Sequence, residues 1–102
     1  MQTFHTLDLA VQFEHLVRKQ RVSPYLQDQL RRASASIALN LAEGNAKFSR
    51  RDKARFYEIA LGSLRECQTL FRLEHLEAPE LHQIADRIGG SLYCLVRSFR
   101  KK

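Results

Sequence analysis

The chain has 102 residues, 44% of them hydrophobic, with four glycines, two prolines, no tryptophan and a formal net charge of +6. That length makes one domain over residues 1–102, large enough to bury a core without the disulfide or metal staples that chains below about 40 residues need. So few turn-forming residues exclude a β-rich fold, no apolar run reaches the roughly 18 residues of a membrane span, and the surplus of cations favours polyanionic partners.

The first helix is expected to start near Leu7, with Thr6 as its N-cap, and to run to about Lys19. Leu9, Ala10, Phe13, Leu16 and Val17 recur at three- and four-residue steps and make one apolar stripe. Ser23-Pro24 reads as an N-cap followed by proline at the first helical position. The second helix carries Leu26, Leu30, Ala33, Ile37 and Leu41 on one face, and Gly44 is expected just past its end, where a positive φ is often required. Ser49 and Asp52 have capping-box spacing, and open a third helix that runs to about His75. Its stripe of Phe56, Tyr57, Ala60, Leu61, Leu64, Cys67 and Phe71 is wide enough for more than one neighbour. The fourth helix begins at Pro79 and continues to about Arg100 through Leu81, Ile84, Ile88, Leu92, Leu95 and Phe99. Gly89-Gly90 interrupts it, either for close approach of a neighbour or at a kink. Long helices joined by short connections pack as antiparallel neighbours, so the expected fold is all-α, an antiparallel up-down-up-down four-helix bundle.

Catalytic and metal chemistry find no foothold in these residues. His5, His15, His75 and His82 lack the glutamate three positions earlier that a di-iron bundle uses, so no metal or other cofactor is expected. His82 and Asp86 share a helix face and suit a surface hydrogen bond. The glycines have neither phosphate-loop nor dinucleotide spacing. Cys67 and Cys94 fall about 9 Å apart along the bundle axis at the helical rise, too far for a bridge, and are expected as two buried thiols. Met1–Leu9 lacks the basic-then-apolar order of a secretory signal, which makes the cytoplasm the expected compartment. Asn40 is expected on a loop backbone and Glu43 on Arg50 or Arg51. Ala35, Ala38, Ala42, Gly62 and Ser63 suit either a close approach of the second and third helices or a subunit interface.

The charge is unevenly spread. Lys47, Arg50, Arg51, Lys53 and Arg55 against Asp52 give the segment 47–55 a net +4, and Arg97, Arg100, Lys101 and Lys102 give the last six residues another +4. Residues 56–96 carry three arginines against six carboxylates, a net −3. In an up-down bundle both cationic segments reach one pole, while Arg18, Lys19 and Arg21 meet Glu74, Glu77 and Glu80 at the other. Terminal cations suit the negative end of the fourth helix, but Arg50, Arg51 and Lys53 stand at the positive end of the third, where they are unfavourable. That mismatch points to a polyanion site, and the nine cations are its candidate phosphate contacts. Phe48, within the first cluster, either stacks on a base or packs on the bundle end as a staple, of which packing is the expectation.

The string Gln29-Leu30-Arg31-Arg32-Ala33-Ser34-Ala35-Ser36-Ile37, then Asn40-Leu41-Ala42-Glu43-Gly44-Asn45, then Phe56-Tyr57-Glu58-Ile59-Ala60-Leu61-Gly62-Ser63-Leu64-Arg65-Glu66, resembles the bacterial 23S ribosomal RNA intervening-sequence proteins. The likeness is good over residues 25–72 and is one of pattern in the flanking helices. Ala38 stands where that family often has proline, and the first helix looks short for it. The resemblance implies an up-down bundle that assembles as a homo-oligomeric ring, a pentamer, with no enzymatic activity. A more distant similarity, to the accessory protein of diversity-generating retroelements, implies nucleic acid and a reverse transcriptase as partners. The functional expectation is an accessory protein that binds RNA or DNA backbones through its basic end; the alternative is a scaffold that docks a polymerase or other protein without touching nucleic acid.

Overall fold

The computed structural model describes the backbone of residues 2–101 and the side chains of residues 5–101. Four helices follow one another: α1 (Gln2–Arg18), α2 (Pro24–Ala46), α3 (Arg50–Leu73) and α4 (Pro79–Arg100). No strand occurs among the described residues. Each helix packs on two others in the cyclic order α1, α2, α3, α4, so that α1 and α3 face each other across the centre, as do α2 and α4. The result is an antiparallel bundle of 43 × 22 × 18 Å.

Helical periodicity explains the core. Phe13, Ile37, Leu41, Tyr57, Leu64, Phe71, Leu81, Ile88 and Leu92 are the large side chains sealed inside. Each buried aliphatic or aromatic side chain of this kind contributes about 1.5–3 kcal/mol. Phe13 and Phe71 meet across the α1–α3 diagonal with ring centroids 6.0 Å apart.

Several local details depart from the sequence expectations. α1 begins at Gln2, so Thr6 is an interior residue rather than a cap. Its side chain is buried and shares a 2.5 Å hydrogen bond with Ser91 of α4, a partner that no local spacing encodes. Ser23 precedes Pro24 as expected, yet its side chain caps nothing on α2. Its N–H and hydroxyl instead donate to the two oxygens of Glu74 at 2.6 and 2.8 Å, because the end of α3 lies beside it and an ionised carboxylate is the stronger acceptor.

Gly44 lies inside α2, two residues before its end, with no positive φ. Its value is spatial: a Cβ there would stand 2.6 Å from Cε1 of Tyr57. Because Asn40 is consequently mid-helix, its amide turns back to the Ser36 carbonyl and hydroxyl, both at 2.9 Å, rather than to a loop. Ser36 and Ser63 also bond each other at 2.8 Å where α2 and α3 touch, whereas Gly62 faces open space. α4 runs unbroken through its glycine pair. Gly89 is buried, with a Cβ position 3.2 Å from Leu64 Cδ2, so close approach of α3 is its role; Gly90 has no atom within 4 Å of its Cβ position.

Both cysteines are free, but only Cys67 is buried. Burial, aided by the charge of Glu66, pushes its thiol up to about 12. Cys94 is exposed: two residues past inward-facing Leu92, it is turned about 200° around the helix.

Candidate nucleic-acid interface

At one pole the C-terminus of α2, the link 47–49, the N-terminus of α3 and the C-terminus of α4 come together. Ser49 starts α3 by accepting the Asp52 N–H at 3.0 Å, the forward half of the expected capping box. Tyr57 of α3 meets Phe99 of α4 with ring centroids 5.7 Å apart, and its hydroxyl donates to Asn45 Oδ1 at 2.7 Å. The two cationic segments therefore share a surface, as the up-down topology requires.

Their side chains divide into two groups. Three are tied into the fold. The Arg50 guanidinium donates to the Ser98 carbonyl in the last turn of α4 and lies over the Phe99 ring, 5.0 Å from its centroid. The Lys53 ammonium donates to the carbonyls of Gly44 and Asn45 at the end of α2, each at 3.1 Å. Arg100 makes a two-pronged pair with Glu58, its Nε 2.6 Å from Oε2. That hydrogen bond is the main reason the Glu58 carboxyl ionises below its ordinary range. The depressed value means that the pair's small contribution is present above the carboxylate range and is lost as pH falls through it.

These contacts revise the dipole argument. Arg50 and Lys53 stand at the positive end of α3, but they reach across to the negative ends of α4 and α2, which finish at the same pole. Their position has a structural reason and is no longer by itself a sign of a ligand.

The other described cations are less committed. Lys47 pairs with Glu43 one turn back at 3.5 Å, so Glu43 serves Lys47 rather than Arg50 or Arg51. Lys47 also lies over the Phe56 ring at 5.2 Å, and Arg55 over the same ring at 5.0 Å. Arg97 lies 5.9 Å from the Tyr93 ring. Arg51, Arg55, Arg97 and Lys101 are exposed and have no carboxylate partner among the described residues. Lys102 lies outside the described residues. Phe48 is fully exposed, which overturns the expectation that it packs as a staple: the extended link carries it away from the bundle end.

Sequence reasoning missed the rings of Phe56 and Phe99 as seats for cations. Phe99 continues the α4 stripe and so reads as core, yet it lies at the last turn and is half-buried against the core's edge. At the opposite pole Arg18 pairs with Glu14 of its own helix at 2.6 Å and Glu74 is taken by Ser23. His82 bonds the Leu76 carbonyl at 2.8 Å, while Asp86 accepts from Gln68 at 3.4 Å, so these two do not bond each other. Arg31 and Arg32 line an open cleft between α1 and α2 with Glu14, Arg18 and Ala35. No helix among the described residues is long and apolar enough to cross a membrane.

The bundle is similar to a crystal structure of a protein of unknown function from the S23 ribosomal protein family of Bacteroides thetaiotaomicron VPI-5482. The TM-score is 0.74 at 21% identity, over 95% of this chain and 99% of that one. No curated protein matches the chain. The family model described as 23S rRNA-intervening sequence protein matches residues 5–90, which takes in the 47–55 segment but not the last cations of α4. With that match over most of its length, the chain belongs to the 23S rRNA-intervening sequence protein family.

Proposed function

We propose that this protein is a non-enzymatic accessory factor that binds nucleic-acid backbones through its basic pole. The observation that carries this reading is the presence of Arg51, Arg55, Arg97 and Lys101, exposed and without carboxylate partners among the described residues, on a pole that also holds Lys47, Arg50, Lys53 and Arg100. Among the described residues, Glu43, Asp52 and Glu58 are the carboxylates that offset these eight cations. Such a surface attracts phosphates by counterion release and offers no base-specific donor array. Self-association into a ring would set several poles side by side; exposed Leu39, on one stripe of α2 with exposed Ala42 and Ala46, supports such an assembly, and light scattering would count its subunits.

The discriminating variant is R51E/R55E/R97E, which leaves the bracing residues Arg50 and Lys53 untouched. In an RNA and DNA titration it should lose most affinity at low salt while its helical circular dichroism stays unchanged. The salt dependence of log K should flatten by about 0.7–0.9 for each phosphate contact removed. Unchanged affinity would sink this function. The exposed Leu39 and Tyr25 favour a second reading, a scaffold for a polymerase or another protein, and that reading predicts no nucleic-acid binding at any salt.

A further inference from the structure

The aromatic rings at the basic pole are not equivalent. Tyr57 is buried, with its hydroxyl on Asn45. Phe56 is half-buried with Lys47 and Arg55 over it, and Phe99 is half-buried with Arg50 and Lys53 over it. Tyr93 is visited by Arg97. Phe48 differs from all of these: it is fully exposed, and no ring or cation contact engages it among the described residues.

The backbone under Phe48 is nonetheless held at both ends. Lys47, at φ −78° and ψ 152°, donates its N–H to the Gly44 carbonyl at 3.2 Å. Ser49, at φ −82° and ψ 147°, is fastened by the Asp52 N–H. The Lys53 ammonium grips the carbonyls just before the link. An apolar ring is thus presented to water on a braced, extended segment, with Lys47 beside it and exposed Arg51 three residues on. A phenyl group left in water forgoes the gain of burial, and a single ring among cations is too small an apolar patch for a protein interface.

We infer that the pole takes single-stranded nucleic acid, with one unpaired base stacked on Phe48 and the adjoining phosphates on Lys47 and Arg51. This rests on the reading of the pole as a nucleic-acid surface and narrows its ligand. Bases in a duplex interior have both faces covered by their neighbours, whereas unpaired bases offer a flat face to an aromatic ring whatever their identity. An anionic membrane would also meet cations and a phenyl ring, but one side chain on a bundle tip gives little apolar insertion, whereas interfacial anchors use a whole helical face.

The test uses fluorescence-labelled oligo-dT and oligo-rU of about 15 nucleotides and a duplex of equal length, with wild type, Phe48→Ala and Phe48→Trp. Because the chain has no tryptophan, the Trp variant is a single-site reporter. Single strands should bind more tightly than the duplex. Phe48→Ala should lose about five- to tenfold on single strands, leave the duplex unchanged and keep the salt slope, since stacking carries no charge. Phe48→Trp should retain affinity and be quenched by single strands alone. The inference is overturned if Phe48→Ala binds single strands as wild type does, if it loses equally on both forms, or if the Trp reporter responds to phosphatidylserine vesicles and not to oligonucleotides. Should wild type bind neither form at low salt, the nucleic-acid function falls with it. Should it bind, and R51E/R55E/R97E fail to, while Phe48→Ala is silent, the stacking alone is wrong.

Discussion

Gly44 and Gly90 have the same side chain for opposite reasons. At Gly44 an added methyl would sit 2.6 and 2.9 Å from carbons of the buried Tyr57 ring, which is held by its hydrogen bond to Asn45 and its packing on Phe99. The ring has nowhere to move, so Gly44→Ala should destabilise the protein by about 1–3 kcal/mol through overpacking. Gly90 has helical backbone and nothing within 4 Å of its Cβ position, so Gly90→Ala should stabilise by about 0.5–1 kcal/mol by narrowing the unfolded ensemble. Urea melts of the two variants check both signs at once. From sequence the two residues read as a helix terminator and half of a close approach or kink, because a glycine marks permission and does not say whether conformation or space needs it.

At the scale of the helices, the notable contacts join the start of one to the end of another. Lys53 donates to the Asn45 carbonyl and joins the Lys47 N–H on the Gly44 carbonyl at the end of α2, and Arg50 donates to one of the last carbonyls of α4. Helix ends leave such groups without intrahelical partners, and a cation there also meets the negative end of the dipole. Lys53→Met, which keeps the stem and removes the ammonium, should therefore cost about 0.5–2 kcal/mol in a denaturant melt. Its effect on the salt dependence of nucleic-acid binding should be smaller than that of Arg51→Glu. The helix starts were largely readable: Pro24, Ser49 with Asp52, and Pro79 mark three of the four by local chemistry that survives in the structure. The start of α1 was not, because Thr6 imitates a cap and its true partner, Ser91, is eighty-five residues away in sequence. Ser23 likewise has the right position and the wrong partner, since Glu74 outcompetes the local N–H groups for it.

For the molecule as a whole, convergence of the two cationic segments was legible, because an up-down order of four helices leaves the α2–α3 turn and the end of α4 no other place to go. The division of that surface into bracing and uncommitted cations was not. It depends on distances between helices, such as Arg50 to Ser98 and Arg100 to Glu58, that no spacing within one helix records. Antiparallel packing also carries the last residues of α4 to the cationic pole, while the α1–α2 and α3–α4 connections occupy the far one. Anything fused after α4 would consequently hang over the cationic pole as a tether. If that pole binds nucleic acid as proposed, a purification tag there should weaken oligonucleotide capture, whereas a fluorophore grafted at exposed Glu77 should leave capture intact, as side-by-side anisotropy titrations would register.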